Sequence, residues 1–432
     1  MSPRRRHNTQ LRRVALLSVH TSPLAQPGTG DAGGMNVYVL NTAKELSKRG
    51  VEVDIFTRAT ASTQPLSHRP MPGVTVYHVP AGPYEGLNKN DLPSQLCAFT
   101  AGVLRTEAHR PEHHWDLIHS HYWLSGQVGW VASERWGVPL VHTFHTLAKV
   151  KNASLSEDET PEPQARIIGE QQITDIATRL HANTCSEARE LHSHYGADLQ
   201  RIDIVPPGVN LDTYQPRTHD RIAATRRALG LDDHHIAIAF VGRIQPAKGP
   251  DTILKGIADL SRRRPELAGR LVPIFIGGPS NSDPYWLPKL AAELGLSDSA
   301  MFLDPRHGSA LADLYGAVDM VAVPSHNESF GLVALEAQAG GTPVLATRTG
   351  GLTTAVADEY SGLLVDGHHP RRWANAIEAL ADNPSWRHRL GRGAREHSRG
   401  FSWSATAGKL IDSYGEMLRE RAASRVMTSD RL

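Results

Sequence analysis

Short apolar runs alternate with longer amphipathic stretches along the chain. Val14–His20, Val51–Thr57, Val74–Pro80, Asp116–Ser120, Val138–Thr143 and Ala182–Cys185 have the length and composition of buried strands. Met35–Arg49, Leu92–His109, Gln164–Leu180 and Ser186–Tyr195 carry helical spacing between them, with Ser186 as the N-cap of the last. The alternation then restarts. Ile236–Gly242, Leu271–Gly277, Met301–Leu303, Met320–Pro324, Pro343–Ala346 and Gly362–Val365 read as strands. Asp251–Arg263, Pro288–Leu294, Ser309–Tyr315, Leu332–Ala339 and Arg371–Ala381 read as helices between them.

Two such series predict an α/β protein built from two doubly wound, parallel-sheet domains. The segment Ile202–Asn210 carries Pro206, Pro207 and Gly208, which cannot continue a helix and suit a linker. The boundary is therefore placed at Pro207, giving domains 14–207 and 208–402. Ligands of such sheets bind beyond the carboxyl ends of the strands, so the cleft between the domains is the expected site.

Composition narrows the class. The 432 residues suit two or three domains. With 46 basic and 45 acidic residues there is no surplus for a nucleic-acid partner. Five arginines (Arg4, Arg5, Arg6, Arg12, Arg13) sit in residues 1–13, read as a disordered basic tail. Only Cys97 and Cys185 are present, which rules out a disulfide framework. No apolar run approaches the ~20 residues of a membrane span. These features read as a soluble, cytoplasmic protein.

Candidate chemistry concentrates at strand ends. After His20 comes a loop containing Gln26, Pro27, Asp31, Ala32, Gly33, Gly34, Met35 and Asn36, which feeds a helix. A glycine-rich loop at a helix N-terminus offers unpaired N–H groups and a positive dipole to an anion. Gly28, Gly30 and Gly33 form a G-x-G-x-x-G, but seven residues separate its first glycine from the strand. The second strand also closes on Phe56-Thr57-Arg58, without the acid that a dinucleotide ribose needs. In the second domain, Arg243 and Lys248 leave a strand end between Gly242 and Gly249, as cations for a diphosphate. Glu328 precedes a helix and Glu336 lies within it. Ionised Glu only accepts hydrogen bonds, which suits both residues to sugar hydroxyls. The clusters His119-Ser-His121 and His142-Thr-Phe-His145 sit at strand ends, where lining the cleft is favoured over binding zinc.

Gly242-Arg243-x4-Lys248-Gly249, Glu328-x7-Glu336 and Val205–Asn210 together resemble the retaining GT-B glycosyltransferases of family 4. Asp31–Asn36, His145-Thr146 and Glu170-Gln171 are similar to the branch of that family that opens mycothiol synthesis. The resemblance implies a GT-B fold, with two Rossmann-like domains and a C-terminal helix of about residues 403–420 crossing back to the first. It also implies transfer of N-acetylglucosamine from UDP-N-acetylglucosamine to 1D-myo-inositol 3-phosphate with retention. For the donor it implies Gln26, Pro27, Gly34, Arg243, Lys248, Arg306, Glu328 and Glu336. For the acceptor it implies His20, Asp31 to Asn36, Lys89, Tyr122, Thr146 and Arg166. His145, Arg243, Lys248 and Glu328 are the implied catalytic set. A structural Mg²⁺, with no catalytic need for it, is implied at Tyr315, Gly316, Val318 and Thr342, and a homodimer is implied as well. Three alternatives remain open. One is a sister family 4 enzyme of mannosyl- or sucrose-phosphate type. The others are a nicotinamide-dependent oxidoreductase and a non-catalytic sugar-nucleotide sensor.

Overall fold

The computed structural model describes residues 11–26, 32–87, 89–153, 155, 160–279 and 283–429. Most of the basic tail, Gly28, Gly30 and the site candidates Pro27 and Asp31 lie outside them.

The first sheet contains β1 (Arg13–Leu17), β2 (Glu52–Arg58), β3 (Ser67–Met71), β4 (Val74–Val79), β5 (Leu117–His121), β6 (Leu140–Thr143), β7 (Arg179–Ala182) and β8 (Ile202–Ile204). Its order is β3-β4-β2-β1-β5-β6-β7-β8, and only β3 runs antiparallel. The second sheet contains β9 (Ile236–Val241), β10 (Leu271–Ile276), β11 (Met301–Leu303), β12 (Met320–Val323), β13 (Val344–Thr347) and β14 (Gly362–Val365). Its order is β11-β10-β9-β12-β13-β14, all parallel. Chain order reverses between β1 and β5 in one sheet and between β9 and β12 in the other. Each reversal opens a crevice at the strands' carboxyl ends. The two crevices face each other.

The long C-terminal helix Trp403–Ser429 returns to the first sheet. Leu410, Tyr414 and Met417 are buried there with Val14, Leu16 and Val39. The Tyr414 hydroxyl is hydrogen-bonded to His119 Nδ1 at 2.6 Å.

Several local expectations are corrected. The strand expected at Ala182–Cys185 is Arg179–Ala182, and the preceding helix stops at Ile176. The next helix begins at Cys185, and Thr184, not Ser186, caps it by accepting from the Glu187 N–H at 3.1 Å. Glu187 also accepts from the Asn183 N–H at 2.7 Å, one residue before the cap. The Leu92–His109 stretch divides into a 3₁₀ turn, Lys89–Gln95, and a helix, Leu96–Ala108, because Pro93 sits in the turn. Ile202–Ile204, expected as linker, pairs as an edge strand.

Helix Trp123–Trp136 was not anticipated. It is apolar on several faces and contains glycines, which obscures helical periodicity. Gly126 shows why. A Cβ there would lie 2.3 Å from Ile173 Cδ1, so the glycine admits a neighbouring helix. Helices His219–Ala228 and Pro384–Ser398 are also additions to the expected set.

Candidate active site

Two helix N-termini converge on the cleft. Helix Gly34–Lys48 follows the loop after β1. Asn36 builds this loop: Oδ1 accepts from the Gly33 N–H at 2.9 Å, and Nδ2 donates to Thr21 Oγ1 at 2.8 Å and to the Ser22 carbonyl at 2.5 Å. Asn36 is therefore buried as a loop brace. Gly34 is exposed at the helix start. A Cβ on it would sit 3.4 Å from Leu332 Cδ1, the first residue of helix Leu332–Ala339 in the other lobe. Both helices thus present unpaired N–H groups and positive dipole ends to one space.

The strand-end loops supply charge. Lys248 Nζ donates to Glu328 Oε2 at 2.6 Å, joining the loop after β9 to the loop after β12. Half-buried Arg243 lines the same space and has no hydrogen-bond or ion-pair partner among the described residues. Gly249 lets the Lys248 loop close. Its φ is +65°, and a Cβ there would lie 2.2 Å from the Pro324 carbonyl oxygen. Across the cleft His145 holds a left-handed φ of +62°, and its carbonyl accepts a hydrogen bond from the Ser329 hydroxyl. This side-chain hydrogen bond directly links the two sheet domains.

Glu336 sits deeper in the second lobe. The Tyr315 hydroxyl donates to its Oε2 at 3.1 Å, and the Tyr214 hydroxyl also bonds it. Burial pushes its carboxyl up to about 7, against the lowering effect of both hydroxyls. Arg306 is exposed at the cleft edge, just before helix Gly308–Ala317.

The first lobe supplies the opposite wall. Arg166 is buried, with Nη1 2.8 Å from Glu162 and Nε 2.7 Å from Glu170. Its Nη2 donates to the Thr146 carbonyl at 2.9 Å and to the Thr146 hydroxyl at 2.8 Å. The guanidinium lies 4.9 Å from the centre of the Tyr122 ring. Tyr122 has a φ of +70°, and burial pushes its hydroxyl up to about 12. His20 is pushed down to about 3, chiefly by burial and then by Lys89, His145 and Arg166, which keeps it neutral. Backbone in the left-handed region at both Tyr122 and His145 is a feature that clusters at functional sites.

One cleft of about 630 Å³ gathers most of the sequence candidates. Its first-lobe wall holds His20, Ala32, Gly33, Gly34 and Met35, then Lys89, Tyr122, His145, Thr146 and Arg166. Its second-lobe wall holds Arg243, Lys248, Arg306, Glu328 and Glu336. Gln26 is exposed and lies outside this lining. The histidine clusters need a correction, since His119, His121 and His142 are interior. His119 bonds Tyr414 and Thr143, His142 bonds Ser120, and His121 bonds His145 at 3.0 Å. Only His145 of the two clusters reaches the cleft. The Ser329 hydroxyl and Tyr214 were not foreseen, and nothing in their spacing marks them. Tyr315 was foreseen only as a metal position.

The four metal candidates meet at the far end of helix Gly308–Ala317. The Thr342 hydroxyl donates to the Tyr315 carbonyl at 2.6 Å, and Gly316 and Val318 line the same groove. Carbonyl and hydroxyl oxygens are the donor type that a hard cation takes.

Residues 33–208 match the glycosyl transferase 4-like domain, and residues 222–397 match glycosyl transferases group 1. The D-inositol 3-phosphate glycosyltransferase of Stackebrandtia nassauensis is 55% identical over 416 residues, covering 96% of this chain and 93% of that one. That of Salinispora tropica is 56% identical over 415 residues, covering 95% and 86%. The chain belongs to the D-inositol 3-phosphate glycosyltransferase family. It is a glycosyltransferase of GT-B fold. The sucrose-phosphate synthase of Thermosynechococcus elongatus superposes with a TM-score of 0.85 at 30% identity, covering 96% of this chain and all of that one. Membership in this family sets aside the oxidoreductase alternative. In the glycosyltransferase, Asp54 is buried within β2 and accepts from Trp115 Nε1 at 2.9 Å, so it offers no acid to a cofactor ribose. Among the described residues no helix is long and apolar enough to cross a membrane.

Proposed function

We propose that the enzyme transfers N-acetylglucosamine from UDP-N-acetylglucosamine to 1D-myo-inositol 3-phosphate with retention, giving N-acetylglucosaminyl-inositol phosphate and UDP. The observation that carries this reading is a cleft with two differently built walls. The second lobe offers Arg243, Lys248 and a helix N-terminus for a diphosphate, with Glu328 and Glu336 for sugar and ribose hydroxyls. The first lobe offers Lys89, Thr146, Tyr122 and the Arg166 edge for a small phosphorylated polyol. The relatives' shared name supports inositol 3-phosphate as that polyol.

Among the described residues the cleft wall carries two carboxylates, Glu328 and Glu336. Glu328 is held by Lys248 and Glu336 by two tyrosine hydroxyls. We read both as acceptors for hydroxyl groups rather than as nucleophiles, and therefore favour a front-face reaction. The bond from the anomeric carbon to the diphosphate oxygen breaks, and the acceptor hydroxyl bonds to that carbon from the same face. Its proton passes to a phosphate oxygen of the departing UDP. Arg243 and Lys248 stabilise charge growing on the diphosphate, and preorganised groups of this kind supply large shares of a rate enhancement. The His145 carbonyl, held by Ser329, positions the sugar. Mg²⁺ at Tyr315, Gly316, Val318 and Thr342 would have a structural role, being outside the cleft.

The test is a donor and acceptor panel with the purified protein. UDP release from UDP-N-acetylglucosamine with inositol 3-phosphate is expected. No release with that pair, alongside UDP release with fructose 6-phosphate as acceptor or GDP release from GDP-mannose, would sink the assignment in favour of a sister reaction. Donor binding without turnover on any acceptor would point to a sensor.

A further inference from the structure

A second groove of about 1020 Å³ lies on the far side of the second lobe. Six arginines line it against one carboxylate, Asp319. That carboxylate is already engaged by Arg226 at 3.4 Å and Arg387 at 3.1 Å, and Arg217 is paired with Asp313 at 2.9 Å. Arg389 and Arg392 are exposed and have no hydrogen-bond or ion-pair partner among the described residues. They stand with Arg395 at three-residue intervals on helix Pro384–Ser398, so all three share one face. A near-neutral protein thus concentrates cations around a concave surface outside the catalytic cleft, in the groove that Gly316, Val318 and Thr342 also line.

The groove is wired to the cleft. Arg395 donates to the Ala339 carbonyl at 2.8 Å and to the Tyr214 carbonyl at 3.3 Å. Ala339 ends the helix that carries Glu336, and the Tyr214 hydroxyl bonds Glu336. Arg226 donates to the Ala317 carbonyl at 2.9 Å, at the end of the helix that carries Tyr315, the other partner of Glu336. Both arginines therefore hold, from behind, the backbone that sets the Glu336 cluster.

We infer that this groove is a second anion site, for a small ligand bearing two or more phosphate groups, and that it is coupled to the nucleotide end of the cleft. Arg389 and Arg392 supply the first attraction, with guanidinium forks suited to phosphate oxygens. A bound polyanion competes with the carbonyls of Ala339 and Tyr214 for Arg395. The backbone behind Glu336 loosens, and the nucleotide binds less well. By linkage the nucleotide weakens the polyanion equally.

Calorimetric titration of inorganic tripolyphosphate into the full-length protein, saturated with UDP and in Mg²⁺-free buffer, tests the site. Prior UDP keeps the probe out of the diphosphate subsite. One binding event is expected, at least about 10-fold weaker in R389A/R392A. Both residues are exposed, and alanine suits a helix, so the variant folds. UDP affinity without the probe is expected to be the same in variant and wild type. With the probe, the wild-type Kd for UDP rises about 5-fold or more, the low end of allosteric coupling, while the variant's does not. No binding, or equal binding in the variant, overturns the site. Binding that leaves the wild-type Kd for UDP unchanged overturns the coupling.

Discussion

The Lys248 ammonium donates to Glu328 Oε2 at 2.6 Å, tying together the loops that leave the two strands at the second sheet's reversal point. The pair holds Glu328 as an acceptor toward the cleft and keeps a cation beside it. Lys248→Ala removes both effects. Turnover is expected to fall by at least ~10²-fold, the scale for losing a preorganised stabilising group. Wild-type kcat for UDP release in that variant would remove Lys248 from the mechanism.

Glu336 is expected to make nucleotide binding pH-dependent. Its carboxyl is raised from 4.5 to about 7, so between those values the folded state holds a proton that the unfolded state has lost. Stability from this group is full below about 4.5 and is lost as pH rises toward 7. Ribose recognition runs the other way, because only the ionised group is purely an acceptor. UDP affinity is expected to rise from pH 6 to pH 8. Glu336→Gln should bind UDP more weakly at pH 8 and flatten that rise. An equally steep profile in the variant would assign the titration elsewhere.

Arg166 is a buried cation between two carboxylates. Arg166→Ala leaves Glu162 with Lys151, and Glu170 with the Tyr195 hydroxyl and the Ala148 N–H, and is expected to cost about 1.5–3 kcal/mol, the range for a hydrogen bond to a charged group. Chemical denaturation measures the loss. Undiminished stability would mean that the two carboxylates take up protons or water at little cost.

Gly249 is required by conformation and by space. Gly249→Ala adds a left-handed strain of about 1–2 kcal/mol and a Cβ against the Pro324 carbonyl. The Lys248 loop must shift, and a displacement near 1 Å can cost about 10²-fold in rate. A lower Tm together with lower kcat is expected, and an unchanged pair of values refutes the packing argument.

The Ser329 to His145 bond is a link between the lobes. A net hydrogen bond contributes about 0.5–1.5 kcal/mol, so Ser329→Ala should raise the donor KM by roughly 2- to 10-fold. Ser329→Thr, which keeps the hydroxyl, should restore it. A lowered kcat at constant KM would place the bond in the chemical step instead.

Much of this site was legible before any tertiary contact was known. Alternating apolar runs imply a doubly wound sheet because parallel strands bury both faces. Gly34 marks a helix start, Gly242 a strand end, and Gly249 the loop beyond it, where the backbone approaches another loop. Glu328-x7-Glu336 places one carboxylate before a helix and the other inside it, whatever surrounds them. These properties are local, set by backbone sterics and side-chain periodicity within a few residues. What only the tertiary structure decided are the pairings. Arg166 reads as a free cation in sequence, yet it is shared between Glu162, Glu170 and Thr146. His119, His121 and His142 read as cleft residues, yet the returning C-terminal helix and neighbouring strands enclose them. Glu336 owes its raised carboxyl to burial, with Tyr315 and Tyr214 from distant segments as its partners. Such contacts join residues tens to hundreds of positions apart. They depend on how finished elements pack, and no local pattern encodes that packing.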